Sequence, residues 1–202
     1  MKLDLLKDYK PKITDSRTVK EFAVLIPIVI HENKQCIAFQ IRSGRLLKQP
    51  NEVCFPGGRM EDNETPQQAA IRETCEEMLI NEADIKVLGE IDTLVTPFDT
   101  IIYPFAAELR DYRGTFSKDE VQEVFYVPID HLLEYTPQCS YLDVSMQPHE
   151  DFPFDKIQYG RNYPWAHGRY PVYLYEYGDK VIWGITARVL RNFLEIIKDS
   201  TL

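Results

Sequence analysis

Between Gly57 and Ile80 two adjacent glycines are followed by a helix with a marked start and an acidic face, and this stretch constrains the fold most. Gly57 and Gly58 let the backbone turn sharply and approach a ligand closely. Thr65 is a good N-cap, Pro66 suits the first helical position and Gln68 completes a capping box, so a helix is expected from about Pro66 to Leu79. At about 100° per residue, Ala70, Ile71, Thr74, Cys75 and Met78 gather into a mostly apolar stripe. Glu73, Glu76 and Glu77 gather on the other side. Their three- and four-residue separations make them neighbours that repel one another, a cost a cation would reverse. Arg72, four residues before Glu76, can orient a carboxylate.

The rest of the chain surrounds that helix with strands. Glu21 to Ile30 is an apolar, β-branched run, and Gln35 to Arg42 follows the turn-like Glu32-Asn33-Lys34, a hairpin pattern. Further strands are expected near Ile85–Val95, Ile101–Leu109, Val121–Val127 and Tyr170–Tyr177, with a short helix from Pro128 to Leu133. Residues 136–170, rich in Pro, Tyr and Asp, read as one long irregular segment. A closing helix from about Thr186 to Lys198 places Val189, Leu190, Phe193, Ile196 and Ile197 on one face toward the core.

At 202 residues and 44% hydrophobic content the chain suits a single domain, 1–202 with its core at about 21–198, stable without staples. The net charge of −9 argues against nucleic acid or an anionic membrane as partner, and no apolar run is long enough to span a bilayer. Cys36, Cys54, Cys75 and Cys139 form no Cys-x-x-Cys pair. Zinc and disulfides are therefore not expected, and reduced, mostly buried thiols fit a cytoplasmic protein. The N-terminal residues are too charged for a signal peptide, and Ser200-Thr201-Leu202 only weakly echoes a peroxisomal tripeptide, because Thr stands where that signal has a basic residue.

The order Gly58-x5-Glu64-x7-Arg72-Glu73-Thr74-x-Glu76-Glu77-x-Leu79-Ile80 resembles the Nudix box, Gly-x5-Glu-x7-Arg-Glu-U-x-Glu-Glu-x-Gly-U with U a bulky apolar residue. Thr74 stands at an apolar position, where its methyl can still face the core. Leu79 replaces the glycine that ends the helix, a role Asn81 is expected to take over. The resemblance implies an α/β (α+β) fold, an α/β/α sandwich around a mixed β-sheet. It also implies hydrolysis of a nucleoside diphosphate linked to another group, with Mg²⁺ or Mn²⁺ as cofactor. Glu73 and Glu77 become the metal ligands, Glu76 a third, and the Gly57 or Gly58 carbonyl a fourth. Arg72 belongs to the same catalytic frame. The family often adds a glutamate from a later loop; Glu120 and Glu123 both qualify, with Glu120 preferred.

Upstream, Arg42-Ser43 and Phe55-Pro56-Gly57-Gly58 are spaced as in the coenzyme A pyrophosphatase branch, and Tyr173–Tyr177 and Ile182–Arg188 also resemble it. Departures are Ala38-Phe39-Gln40 for Leu-Leu-Thr, Leu47 for a second arginine, and Asn51 for a glycine, which Asn tolerates in a left-handed backbone. The substrate implied is coenzyme A or a derivative, giving 3′,5′-ADP and 4′-phosphopantetheine. Arg42, Ser43, Arg45 and Gly57 are then substrate contacts, and Arg42, Arg45 or Lys48 would meet the 3′-phosphate. Trp165 and His167 are candidates to stack on adenine or to pack their own loop. The alternatives are ADP-ribose, NADH or a dinucleoside polyphosphate as substrate, or a non-catalytic nucleotide sensor. The partner is in each case a small nucleotide, and a homodimer is compatible with the chain.

Overall fold

The computed structural model describes residues 19–199; the N-terminal segment and Ser200-Thr201-Leu202, on which the targeting expectations rest, lie outside them. Strand β1 (Lys20–His31) turns through Glu32 and Asn33 into β2 (Lys34–Arg42). Both turn residues have positive φ, 48° and 60°, the backbone that matches strand twist in a two-residue hairpin. Short strands β3 (Val53–Cys54) and β4 (Gly57–Arg59) then precede α1 (Pro66–Met78). After it come β5 (Ile85–Glu90), β6 (Leu94–Thr96), β7 (Thr100–Leu109), β8 (Val121–Pro128) and α2 (Ile129–Glu134). The chain continues through β9 (Gln138–Ser145), β10 (His167–Tyr177), β11 (Lys180–Trp183) and α3 (Gly184–Asp199).

An eight-stranded mixed sheet forms the centre, with β1 parallel to β7 and antiparallel to β2. Side chains alternate across it. Ala23, Leu25, Cys36, Ala38, Phe105 and Ala107 pack with Ala69, Ala70 and Met78 of α1. Ile26, Ile28, Ile37, Phe39 and Ile41 pack on the opposite face with Val189, Leu190 and Phe193 of α3. The expected α/β/α sandwich is present, and the three-stranded sheet β11-β10-β9 adjoins α3. No helix among the described residues is long and apolar enough to cross a membrane.

Four expectations need correction. Residues 136–170 are not wholly irregular: Gln138–Ser145 is an edge strand whose residues are nearly all exposed, so no buried alternation marked it. The expected strand Ile85–Val95 is two strands, parted at Ile91-Asp92-Thr93. On α3 the buried stripe runs through Ala187, Val189, Leu190, Phe193 and Leu194, while Ile196 is exposed.

The fourth concerns the end of α1. Asn81 is extended, at φ −80°; Leu79 itself takes the left-handed conformation, at φ 51° and ψ 48°. The Thr115 hydroxyl donates to the Met78 carbonyl at 2.8 Å and holds this end in place. A left-handed leucine costs roughly 1–2 kcal/mol, and this side chain is 59% exposed, so little packing offsets it. Leu79→Gly is expected to stabilise the protein by about 1 kcal/mol in urea unfolding; an unchanged or lower midpoint would contradict the cap assignment.

Candidate active site

The sheet parts at the glycine loop. The second half of β1 (Ile28–His31) pairs with β2, but its first half (Phe22–Val24) pairs with Arg59 to Gly57 of β4. The far end of β2 pairs instead with β3 at Gln40 and Ile41. Phe55 and Pro56 therefore cross the opening between the two strand pairs, and Leu25 N–H donates to the Pro56 carbonyl at 2.9 Å. Gly57, at φ +152°, lies so close to β1 that a Cβ would sit 2.4 Å from the Ala23 carbonyl oxygen. At Gly58 a Cβ would fall 2.3 Å from the Glu73 carboxyl group. The acidic helix thus lays one carboxylate directly against the loop backbone.

The start of α1 is as expected. Thr65 accepts from Gln68 N–H, and the Gln68 side chain accepts from Thr65 N–H at 2.9 Å. Thr74 is fully buried and donates to the Ala70 carbonyl at 2.7 Å. The core-facing stripe is rotated from the expected one: it runs through Ala69, Ala70, Thr74, Glu77 and Met78, leaving Ile71 and Cys75 half-buried. Glu77 therefore leaves the acidic face and enters the protein.

Only 5% of Glu77 is exposed, and Gly57 N–H donates to its carboxylate at 3.2 Å. Burial pushes its pKa up to about 8, with the charges of Glu73 and Glu120 adding to the effect. Burial likewise raises that of Glu73, against the opposing pull of Arg72. Arg72 is the hub of the visible polar contacts: it pairs with Glu64 at 2.9 Å, Glu73 at 2.8 Å and Glu76 at 3.5 Å. Its hydrogen bonds hold Glu64 below the usual carboxylate range. Among the described residues no three His, Cys, Asp or Glu side chains converge as a ready-made cage. The donors nevertheless suit a hard divalent cation: carboxylate oxygens at Glu73, Glu76 and Glu77, a glycine backbone beside them, and in Glu77 a buried acid with no ion pair among the described residues.

The two later glutamates separate. Glu123 pairs with Lys180 at 2.9 Å, whereas the charge of Glu120 acts on both Glu73 and Glu77. The loop carrying Glu120 is tied to the site twice, by Ser117 N–H to the Glu77 carbonyl and Ser43 N–H to the Glu120 carbonyl, both 2.8 Å.

Of the expected substrate contacts, Ser43 and Arg45 line a pocket of about 390 Å³ together with Phe116, Lys118 and Val121. Phe116 and Lys118 escaped the sequence reading; their only signal was position, just ahead of Glu120 in the chain. Arg42 is set apart. As the last residue of β2 it takes the α1 side of the sheet, where its charge acts on Glu77 and on Cys54, whose thiol is pushed up to about 12 by burial. Lys48 is exposed outside this pocket. Asn51 has the expected left-handed backbone, at φ 62°. Trp165 packs edge-on against Phe152 and Tyr163 of its own loop, and His167 lines a different groove.

A family model described as the NUDIX domain matches residues 20–143. The peroxisomal coenzyme A diphosphatase NUDT7 of Mus musculus is 33% identical over 141 residues, 69% of this chain and 59% of that protein. The peroxisomal coenzyme A diphosphatase ndx-8 of Caenorhabditis elegans is 34% identical over 163 residues, 77% of this chain and 66% of that protein. The matched region therefore spans less than two thirds of either relative, 59% of the first and 66% of the second. A MutT/nudix family protein from Enterococcus faecalis shares the fold, with a TM-score of 0.55 at 12% identity over 97% of this chain and 68% of that one.

Proposed function

Since the chain belongs to the Nudix hydrolase family, we propose that it hydrolyses the diphosphate of coenzyme A or an acyl derivative, releasing 3′,5′-ADP and 4′-phosphopantetheine. The observation that carries the substrate choice is the pocket beside Glu120: Arg45 and Lys118, an aromatic Phe116 and the Ser43 hydroxyl, with no acidic residue among the described residues that line it. In a chain of net charge −9, that combination suits a phosphorylated adenosine, the rings against Phe116 and the 3′-phosphate on the cations. Two relatives whose names specify coenzyme A diphosphatases support the same choice.

In this reading Glu73, Glu76 and Glu77, with the Gly58 carbonyl, hold Mg²⁺ or Mn²⁺. When bound there, such a cation would neutralise the diphosphate charge and make a water more acidic. Arg72 orients Glu73 and Glu76. Gly57 N–H fixes the Glu77 carboxylate and so keeps one of its oxygens in a defined direction. The Glu120 carboxylate takes the proton of the attacking water. Glu123 is held by Lys180 and plays no part in that transfer.

The test is a panel of coenzyme A, acyl-coenzyme A, ADP-ribose, NADH and dinucleoside tetraphosphates with Mg²⁺ or Mn²⁺, read by mass spectrometry. Cleavage of ADP-ribose with coenzyme A left intact would overturn the substrate choice. A sharper arm uses Lys118→Ala: losing one charge-assisted contact should raise the KM for coenzyme A roughly tenfold while barely changing that for 3′-dephospho-coenzyme A. An equal effect on both would remove Lys118 from the 3′-phosphate.

A further inference from the structure

The parted sheet gives the glycine loop two flanks. On one side β8 pairs with β2 and brings Glu120 and the Phe116–Lys118 pocket. On the other side β4, β1, β7 and β6 follow in order, with Arg59, Phe22, Ile102 and Leu94 in one row. That row spans three strand spacings, roughly 14 Å. At its far end lies a second groove, of about 410 Å³, between β6, the β9–β10 hairpin and α3. Its walls include Val95, Val144 and Met146, and two of these are unusually bare for apolar side chains: Val95 is 65% exposed and Met146 61%. Among the described residues its charged or titratable lining is Arg188, Arg169, His167 and Tyr170, with no acidic residue. Arg188 lies over the Tyr170 ring at 4.6 Å, and its Nη1 is buried without a hydrogen-bond partner among the described residues. The rest of the residue lines the groove and brings its positive charge to the wall.

We propose that this groove takes the far end of the substrate's acyl chain and that the preferred chain ends in a carboxylate. The inference rests on the coenzyme A reading above and deepens it. With 3′-phosphoadenosine on the β8 flank, the pantetheine arm leaves the diphosphate toward β6. That arm is about as long as four extended residues, ~14 Å, which brings the thioester to the mouth of the groove. Val95, Val144 and Met146 then cover the methylenes. Arg188, packed over the Tyr170 ring, receives the terminal carboxylate, and Arg169 adds positive charge. A plain fatty acyl chain would fill the apolar wall but leave the charges of Arg188 and Arg169 uncompensated. A free coenzyme A thiol would reach only the mouth.

The experiment compares adipyl-coenzyme A with hexanoyl-coenzyme A, chains of equal carbon count that differ in the terminal carboxylate. Binding is measured calorimetrically on the full chain in EDTA, so that no turnover is needed, and kcat and KM are then measured with Mg²⁺. The wild type should bind the adipyl thioester about tenfold more tightly, and the difference should appear in KM rather than kcat. Arg188→Gln should abolish the preference. Because Arg188 also packs on Tyr170, a second variant, Met146→Glu, places an acid on an exposed wall without touching the core and should reverse the preference. Equal binding of the two thioesters by the wild type would overturn the groove assignment alone. Failure of both to bind, with ADP-ribose hydrolysed, would overturn the coenzyme A reading on which it rests.

Discussion

Replacing Glu77 by Gln should reduce kcat by on the order of 10³-fold or more while leaving the protein folded, because a hard-cation ligand worth several kcal/mol of transition-state stabilisation is lost. Gln is the same size and still accepts from Gly57 N–H, so the 3.2 Å contact survives. Near-normal turnover would remove Glu77 from the metal site. The same variant carries a pH signature in the metal-free protein. The folded pKa of Glu77, about 8, lies above its ordinary value of 4.5. Between these values the folded state keeps a proton that the unfolded chain has released. Stability from this group is therefore complete below about pH 4.5 and is lost as pH rises toward 8. The full linkage is roughly 4–5 kcal/mol at most, so the melting temperature in EDTA should fall by on the order of 10 °C across that window. Glu77→Gln should flatten the fall and be the more stable protein at pH 8, and saturating Mg²⁺ should restore the wild type there. Parallel pH profiles for the two proteins would refute the burial argument.

The second large effect contrasts adjacent glycines. Gly57→Ala puts a Cβ against the Ala23 carbonyl oxygen and the Val24 Cα, at 2.4 and 2.7 Å, at a positive φ of 152°. Those obstacles are backbone of the central strand, so the fold should lose about 3 kcal/mol or more. At Gly58 the three atoms nearest that Cβ all belong to the Glu73 carboxyl group, the mobile end of a side chain. Gly58→Ala should melt within a few degrees of the wild type, yet lose on the order of 10²-fold in kcat as Glu73 is driven from the loop and from Arg72. The measurement is a melting curve beside a turnover assay for each variant. A stable, active Gly57→Ala or a fully active Gly58→Ala would show that the loop is not held as described.

Arg72 explains why the acidic helix is tolerated before any cation binds. Its guanidinium spans Glu64, Glu73 and Glu76 and offsets the repulsion of three- and four-residue spacings. If the proposed cation takes these carboxylates, Glu73 and Glu76 would have to turn partly away from Arg72, whereas Glu77 is held by the Gly57 N–H.

The residues themselves determined whatever depends on local spacing. Thr65 and Gln68 marked the start of α1 because a capping box is a contact within one turn. Asn51 could be assigned a left-handed backbone because its side-chain type permits it. The near-continuous apolar runs gave β1, β2 and β7, whose two faces both meet helices. Strand β9 was invisible because an exposed edge carries no alternation, and its pairing with β10 is chosen by a partner more than twenty residues away.

Tertiary structure decided the rest. Helical periodicity grouped Glu77 with Glu73 and Glu76, but the sheet against which α1 packs drew Glu77 inside and shifted its acidity. Leu79 took the left-handed cap because Thr115, brought from another loop, holds the Met78 carbonyl. Glu120 and Glu123 could not be ranked by chain position with any force; Lys180, on β11, took Glu123. Phe116 and Lys118 joined Ser43 and Arg45 only because β8 lies beside β2. Local rules read one segment at a time, and each of these outcomes is a contact between segments.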